Sequence, residues 1–140
     1  MNIAIDLDDT LITNSYSGKW KLKKDAIRIL PQLRDIGYQF HIITARIQCE
    51  GNERQISKIL NALDMKGIPI KSVTYTAHAA KGYYAKQKGC THLIDDCIEY
   101  LSDCILHRVI PIHLVPGKKY ISCDDYYIAY SWDDVYRHLT

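Results

Sequence analysis

Asn2-Ile3-Ala4-Ile5-Asp6-Leu7-Asp8-Asp9-Thr10-Leu11-Ile12 opens the chain, and how this stretch is read decides the fold. Ile3-Ala4-Ile5 is a continuous apolar run, the pattern of a parallel strand buried on both faces. Three carboxylates, Asp6, Asp8 and Asp9, follow where that strand should stop. Like charges crowded at a strand end are unfavourable unless a cation holds them together. Side chains alternate between faces, so Asp6 and Asp8 would share one while the chain stays extended. A solvated acidic turn is the plainer reading, but an apolar Leu7 between two carboxylates fits it poorly. The stretch therefore reads as a metal and phosphate site that needs partners from elsewhere in the chain.

The rest of the composition is that of an ordinary globular protein. At 140 residues the expectation is a single domain, 1–140, with a real core. The apolar fraction is 47% and the charged fraction 24%, and a formal charge of +2 does not argue for nucleic acid or an anionic membrane. No apolar run approaches a membrane span, and the acidic start does not resemble a signal peptide, so the expected location is cytoplasmic. Five dispersed cysteines (Cys49, Cys90, Cys97, Cys104 and Cys123), with no C-x-x-C pair, argue against a disulfide framework and a structural zinc site.

Downstream, residues 13–23 are polar and read as a loop or small hairpin above the carboxylates, with Tyr16 and Trp20 as its large side chains. Ala26, Ile27, Leu30 and Leu33 are spaced as one face of a helix over 24–36, with a bend or late start expected at Pro31. Residues 38–44 form a β-branched and aromatic strand ending at Thr44. A helix over 53–65 follows, then a strand over 68–75 and a helix over 80–88. A short strand over 91–94 leads to Asp95 and Asp96. A helix over 98–106, with Cys97 and Cys104 on one face, precedes a strand over 109–115. Residues 116–119 read as a turn and 126–130 as a further strand. Ser131 caps a final helix.

Strand and helix alternating with short connections imply βαβ units and a mainly parallel sheet, an α/β fold. Ligands of such sheets bind beyond the carboxyl ends of the strands. That rule gathers Asp6, Asp8, Thr44, Asp95 and Asp96 on one rim. Mg2+ suits such a site, since it takes one or two carboxylates and leaves other positions to water and phosphate oxygens. Lys81, opening the helix before the Asp95-Asp96 strand, is the best placed ammonium; Lys86 and Lys88 read as solvated. A carboxylate nucleophile, a second carboxylate two residues on, a hydroxyl and a lysine suit phosphoryl transfer through an aspartyl-phosphate.

Asp6-Leu7-Asp8-Asp9-Thr10-Leu11-Ile12 resembles the first motif of haloacid dehalogenase superfamily phosphatases. Ile42-Ile43-Thr44 resembles the second, Lys81 the third, and Leu93-Ile94-Asp95-Asp96 the fourth, in the family's order. The resemblance implies a Rossmannoid three-layer sandwich. It implies that Asp6 is the nucleophile, that Asp8 is the acid and base, and that Thr44 and Lys81 bind the phosphoryl group. It further implies Mg2+ held by Asp6, the Asp8 backbone carbonyl and Asp96, with Asp95 as the alternative ligand or a supporting group. Thr10 is expected to support the turn. Arg46 has two readings, a ligand for a second phosphate or base, and an ion pair on the rim. The presence of Asp8 favours a phosphatase over a dehalogenase.

The gaps after the first and second motifs are too short for the cap domain that many superfamily members carry, so a capless type is expected. Substrate selection then falls to the 13–20 loop, to loops such as 48–52, or to a neighbouring subunit in a homo-oligomer. Ile43-Thr44-Ala45-Arg46 and Lys81-Gly82-Tyr83-Tyr84-Ala85 are most similar to small nucleotidase-type members. The expected substrate is a small phosphorylated metabolite, a nucleotide first, with a sugar phosphate or a phosphorylated polynucleotide end as alternatives. A non-catalytic phosphoacceptor module is the competing class. Its acidic pair would come first and its acceptor Asp in mid-chain, which is not the order here.

Overall fold

A computed structural model describes residues 1–13, 18–115 and 127–140. The expectations for Tyr16, Cys123 and the turn at 116–119 lie outside these residues. The elements, in order, begin with strand β1 (Asn2–Ile5), a hairpin of β2 (Ile12–Thr13) and β3 (Lys21–Leu22), helix α1 (Lys24–Asp35) and strand β4 (Gln39–Thr44). Helix α2 (Glu50–Met65), strand β5 (Ile70–Tyr75), helix α3 (Gly82–Gln87) and strand β6 (Cys90–Asp95) follow. A 3-10 turn (Ile98–Leu101), strands β7 (Ile110–Leu114) and β8 (Tyr127–Ala129), and helix α4 (Trp132–Leu139) complete the described chain.

Six strands form one sheet in the order β5-β4-β1-β6-β7-β8, and every neighbouring pair is parallel. β1 lies inside, paired to β4 on one side and β6 on the other. Alternation of its side chains explains the two halves of the core. Ile3 and Ile5 join the cluster built by Ala26, Leu30 and Leu33 of α1, Ile59 and Leu63 of α2, and Val135 of α4. Ala4 points the other way, into a smaller cluster with Ala85 of α3, Leu101 and Cys104. The result is a three-layer α/β sandwich. Chain order runs outward from β1 to β5 on one side and returns from β6 to β8 on the other. The reversal falls between β1 and β6, and open parallel sheets bind ligands at such a point.

Most element boundaries match the sequence reading; three differ for local physical reasons. α1 runs without interruption from Lys24 through Pro31, so no late start occurs. α2 begins at Glu50, three residues before the expected 53, with Glu50 and Glu53 in the first turn where the positive end of the helix favours carboxylates. The 48–52 stretch is therefore largely helix rather than loop. The expected helix over 98–106 is not formed. Tight backbone bonds at three-residue spacing replace it: Tyr100 N–H to the Cys97 carbonyl, Ser102 to Glu99, and Cys104 to Leu101.

Contacts made by that turn explain why helical propensity loses. Asp103 accepts hydrogen bonds from the Gly82 and Tyr83 N–H groups at 2.7 and 3.0 Å, serving the start of α3. The two backbones come so close that a Cβ on Gly82 would lie 2.6 Å from Asp103 Oδ1 and 2.7 Å from both Cys104 Cα and Cys104 N. Cys104 and Cys90 are buried, and burial pushes both thiols up to about 12, which leaves them as small apolar groups. Gly82→Ala should therefore destabilise the protein by about 1–3 kcal/mol, the scale of forced overpacking. Urea denaturation would show this as a lower midpoint with an unchanged slope.

Candidate active site

The turn after β1 is built around one carbonyl. Leu7 is fully buried, and its carbonyl receives the N–H groups of Thr10, Leu11 and Ile12 at 3.4, 3.0 and 3.2 Å. Asp9 takes φ 62° in this turn, and Lys23 Nζ donates to its carbonyl at 2.7 Å. Asparagine and aspartate tolerate that left-handed conformation better than most residues. Asp9 is thus a residue of the turn, as its position in the sequence suggests.

Asp6, Lys81 and Asp95 meet where β1 and β6 end. Asp6 and Asp95 are 5% and 0% exposed, and Lys81 is 0% exposed. Lys81 Nζ donates to Asp6 Oδ1 at 2.6 Å and to Asp95 Oδ2 at 2.7 Å. Thr10 Oγ1 donates to the other Asp6 oxygen at 2.8 Å, and the Cys97 N–H to the other Asp95 oxygen at 2.9 Å. Lys81 is itself fixed at the start of α3, with its N–H on the Tyr100 carbonyl at 3.0 Å. Its ammonium lies 4.8 Å from the centroid of the Tyr100 ring, within cation–π range.

One ammonium does not balance this group. Burial and the Asp95 charge push Asp6 well above the ordinary carboxyl range, against the pull of Lys81. Burial also raises Asp95, to about 6, again against Lys81. For Lys81, burial opposes the charge, but the two carboxylates outweigh it and hold the ammonium above its usual value. Asp96 adds a third carboxylate. Oxygens of Asp6, Asp95 and Asp96 lie within 4.8 Å of one another. Three hard oxygen donors with one lysine leave an excess negative charge of two, and that donor set fits a divalent cation such as Mg2+. Both oxygens of Asp95, like both of Asp6, accept a hydrogen bond within the protein.

Asp8 stands apart from this cluster. Its carboxylate is held by the fork of Arg46, with Nε to Oδ2 at 2.8 Å and Nη2 to Oδ1 at 2.6 Å. Arg46 in turn meets Gln55 and, at 3.4 Å, Asn52, both on α2. Of the two sequence readings for Arg46, the ion pair is the one present. Thr44, at the end of β4, is fully buried, and its hydroxyl oxygen accepts the Arg46 N–H at 3.2 Å. The rim thus has a buried group (Asp6, Lys81, Asp95, Thr10 and Thr44) and a half-buried one (Asp8, Arg46 and Asp96).

Several neighbours have no sequence signal. Tyr100 over Lys81, Gln55 and Asn52 behind Arg46, and His113, whose Nε2 lies 3.1 Å from the Asp96 carbonyl, are visible only in three dimensions. His78 is exposed at φ 68° and contacts the Tyr100 hydroxyl at 3.2 Å. His41 is packed within β4, between Ser72 and Asn2. Trp20 packs against the core, as a loop anchor would, while Lys86, Lys88 and Glu99 are exposed. Among the described residues no helix is long and apolar enough to cross a membrane.

No family model and no curated protein matches the sequence. Solved structures do match the fold. The D,D-heptose 1.7-bisphosphate phosphatase from B. bronchiseptica, complexed with magnesium and phosphate, aligns with a TM-score of 0.75 at 12% identity, over 99% of this chain and 97% of that one. An uncharacterized protein from Listeria monocytogenes serotype 4b aligns with a TM-score of 0.71 at 11% identity, over 99% and 96%. A HAD-superfamily hydrolase from Ehrlichia chaffeensis aligns with a TM-score of 0.66 at 10% identity, over 98% and 94%.

The raised carboxyls have a consequence for stability. A carboxyl raised by folding leaves the native state with more bound protons than the unfolded chain, so its contribution to stability falls as pH rises. For Asp95 the window runs from its ordinary value near 3.8 to about 6. In metal-free protein Asp95→Asn should therefore gain thermal stability over wild type as pH rises from 4 to 6.5. Mg2+ held by these oxygens would compete with protons for them, and should then raise the wild-type melting temperature more at pH 7 than at pH 5. Thermal melts with and without Mg2+ across that range check both outcomes.

Proposed function

We propose that this chain, which has the haloacid dehalogenase-like fold, is a phosphatase that hydrolyses phosphate monoesters through an aspartyl-phosphate on Asp6. The observation that carries the reading is the buried bridge of Lys81 between Asp6 and Asp95, at the switch point of the sheet. A lysine there does not merely neutralise charge. It fixes one oxygen of Asp6 while Thr10 fixes the other, so the carboxylate is oriented before any substrate arrives.

The roles follow from where each group stands. An Asp6 oxygen attacks phosphorus, and the bond to the ester oxygen breaks, its electrons leaving with that oxygen. Asp8 supplies the proton that the departing alkoxide needs. Water then attacks the phosphorus of the aspartyl-phosphate, Asp8 takes a proton from it, and the bond electrons return to Asp6. Lys81 and Thr44 serve the non-bridging oxygens. Because the Thr44 oxygen accepts the Arg46 N–H, its own hydrogen is left to donate. Asp6, Asp96 and the Asp8 carbonyl would hold Mg2+, which neutralises charge on the phosphoryl oxygens.

Between β1 and α1 the described residues form only a short hairpin, and between β4 and α3 stand only α2 and β5. This supports a capless enzyme acting on a small phosphorylated metabolite, with a nucleotide as the first substrate class to examine. A sugar phosphate is the second, the heptose bisphosphate phosphatase with the same fold being a point in its favour. The protein should release phosphate from p-nitrophenyl phosphate only when Mg2+ is supplied. Asp6→Asn should lower turnover by at least about a thousandfold, the scale on which losing a nucleophile acts. Full activity in that variant, or in the presence of a chelator, would overturn the assignment. A panel of nucleoside monophosphates and sugar phosphates, ranked by kcat/KM, then decides the substrate class.

A further inference from the structure

The geometry points to Arg46 as the positioning residue of the second half-reaction: it grips Asp8 by both oxygens and orients it to take the proton from the water that attacks the aspartyl-phosphate. This inference rests on the phosphatase reading above and adds a residue to it. A guanidinium bound to a carboxylate through two parallel N–H bonds fixes the plane and direction of that carboxylate, which a single contact does not. Arg46 binds Asp8 in this way at 2.8 and 2.6 Å. The side chains are 15% and 23% exposed, so water screens the pair only partly.

Arg46 is held as firmly as it holds. Its third nitrogen is engaged by Gln55 and Asn52, both on α2, and its backbone N–H by the Thr44 hydroxyl. The hydrogen bonds that Asp8 accepts from it, and the charge of Asp8, outweigh partial burial and keep the guanidinium more firmly protonated than usual. Every nitrogen of the fork is therefore occupied without a substrate. That disfavours a primary role in gripping a second phosphate, because these partners engage four of the five N–H donors and a two-point grip would have to displace one of them. It suits a fixed strut running from α2 to Asp8.

The two half-reactions separate the effect. In the hydrolytic step the water oxygen bonds to phosphorus, the bond to the Asp6 oxygen breaks with its electron pair returning to that carboxylate, and one water proton passes to Asp8. The clamp holds both Asp8 oxygens in a fixed direction for this step. A leaving group that departs without a proton, such as 2,4-dinitrophenolate, does not draw on Asp8 during phosphorylation of Asp6.

Rapid-mixing measurements with 2,4-dinitrophenyl phosphate and Mg2+ test the proposal. Arg46→Ala should retain a burst of about one equivalent of dinitrophenolate per site at a rate near that of wild type. Its steady-state turnover should fall by about tenfold or more, the lower end of what a positioned proton acceptor contributes. Acid-quenched samples should contain more phosphoenzyme than wild type. Added guanidinium at millimolar concentration should restore part of the turnover. Arg46→Lys, which keeps the charge without the fork, should lie between, and Gln55→Met, which only loosens the strut, should shift turnover in the same direction. Unchanged turnover in Arg46→Ala, equal slowing of burst and turnover, or a raised KM at unchanged kcat would each overturn the clamp. Failure of the wild-type protein to hydrolyse the ester at all would instead remove the phosphatase reading beneath it.

Discussion

Everything at this site depends on a single ammonium shared between two buried carboxylates. Lys81, fully buried, touches Asp6 and Asp95 within 2.7 Å of each, and those carboxylates end the two adjacent strands between which the sheet reverses its order. Removing Lys81 would strand two buried carboxylates, which is far less favourable than losing a surface pair. The rest of the fold holds this contact in place. Gly82 admits the 103–104 turn, Asp103 takes the N–H groups that open α3, and the Tyr100 carbonyl receives that of Lys81. The short 3-10 turn in place of a regular helix is the cost of bringing that wall so close.

A second, looser arrangement sits beside the first. Asp8 is only two residues from Asp6, yet it belongs to another electrostatic unit, formed with Arg46 and tied to α2. The separation suits two carboxylates with opposite tasks. In the proposed mechanism one stays poised as a nucleophile under a fixed ammonium, and the other exchanges a proton near the solvent side. Placing them in distinct charge environments is how neighbouring groups of the same type acquire different chemistry.

Much of this was legible in the chain. Strand periodicity locates β1, β4 and β6, and the rule that ligands gather at strand ends places Asp6, Thr44, Asp95 and Asp96 on one rim. The partners of those residues were less legible. Nothing in the sequence couples Arg46 to Gln55, nine residues on, or sets the Tyr100 ring over Lys81, since these contacts depend on how α2 and the 98–101 turn pack. The pattern Ile98, Leu101, Ile105 carries a helical period, but the close approach at Gly82 and the inward Asp103 override it. Local propensity is a weak prior wherever a tertiary contact claims the same backbone.

The central position of β1 also has a bearing on how the molecule comes into being. This strand of four residues pairs with residues 39–42 on one side and 90–94 on the other. Residues 2–5 are made before either partner, and they can find both edges only once residue 94 has been made. Such long-range pairing is slow to nucleate and leaves apolar strand edges uncovered while it waits. An acidic cluster next to this apolar segment offers some protection in that interval, because its charge discourages association between nascent chains. The acidic residues of the candidate site thereby also keep β1 soluble until its neighbours arrive.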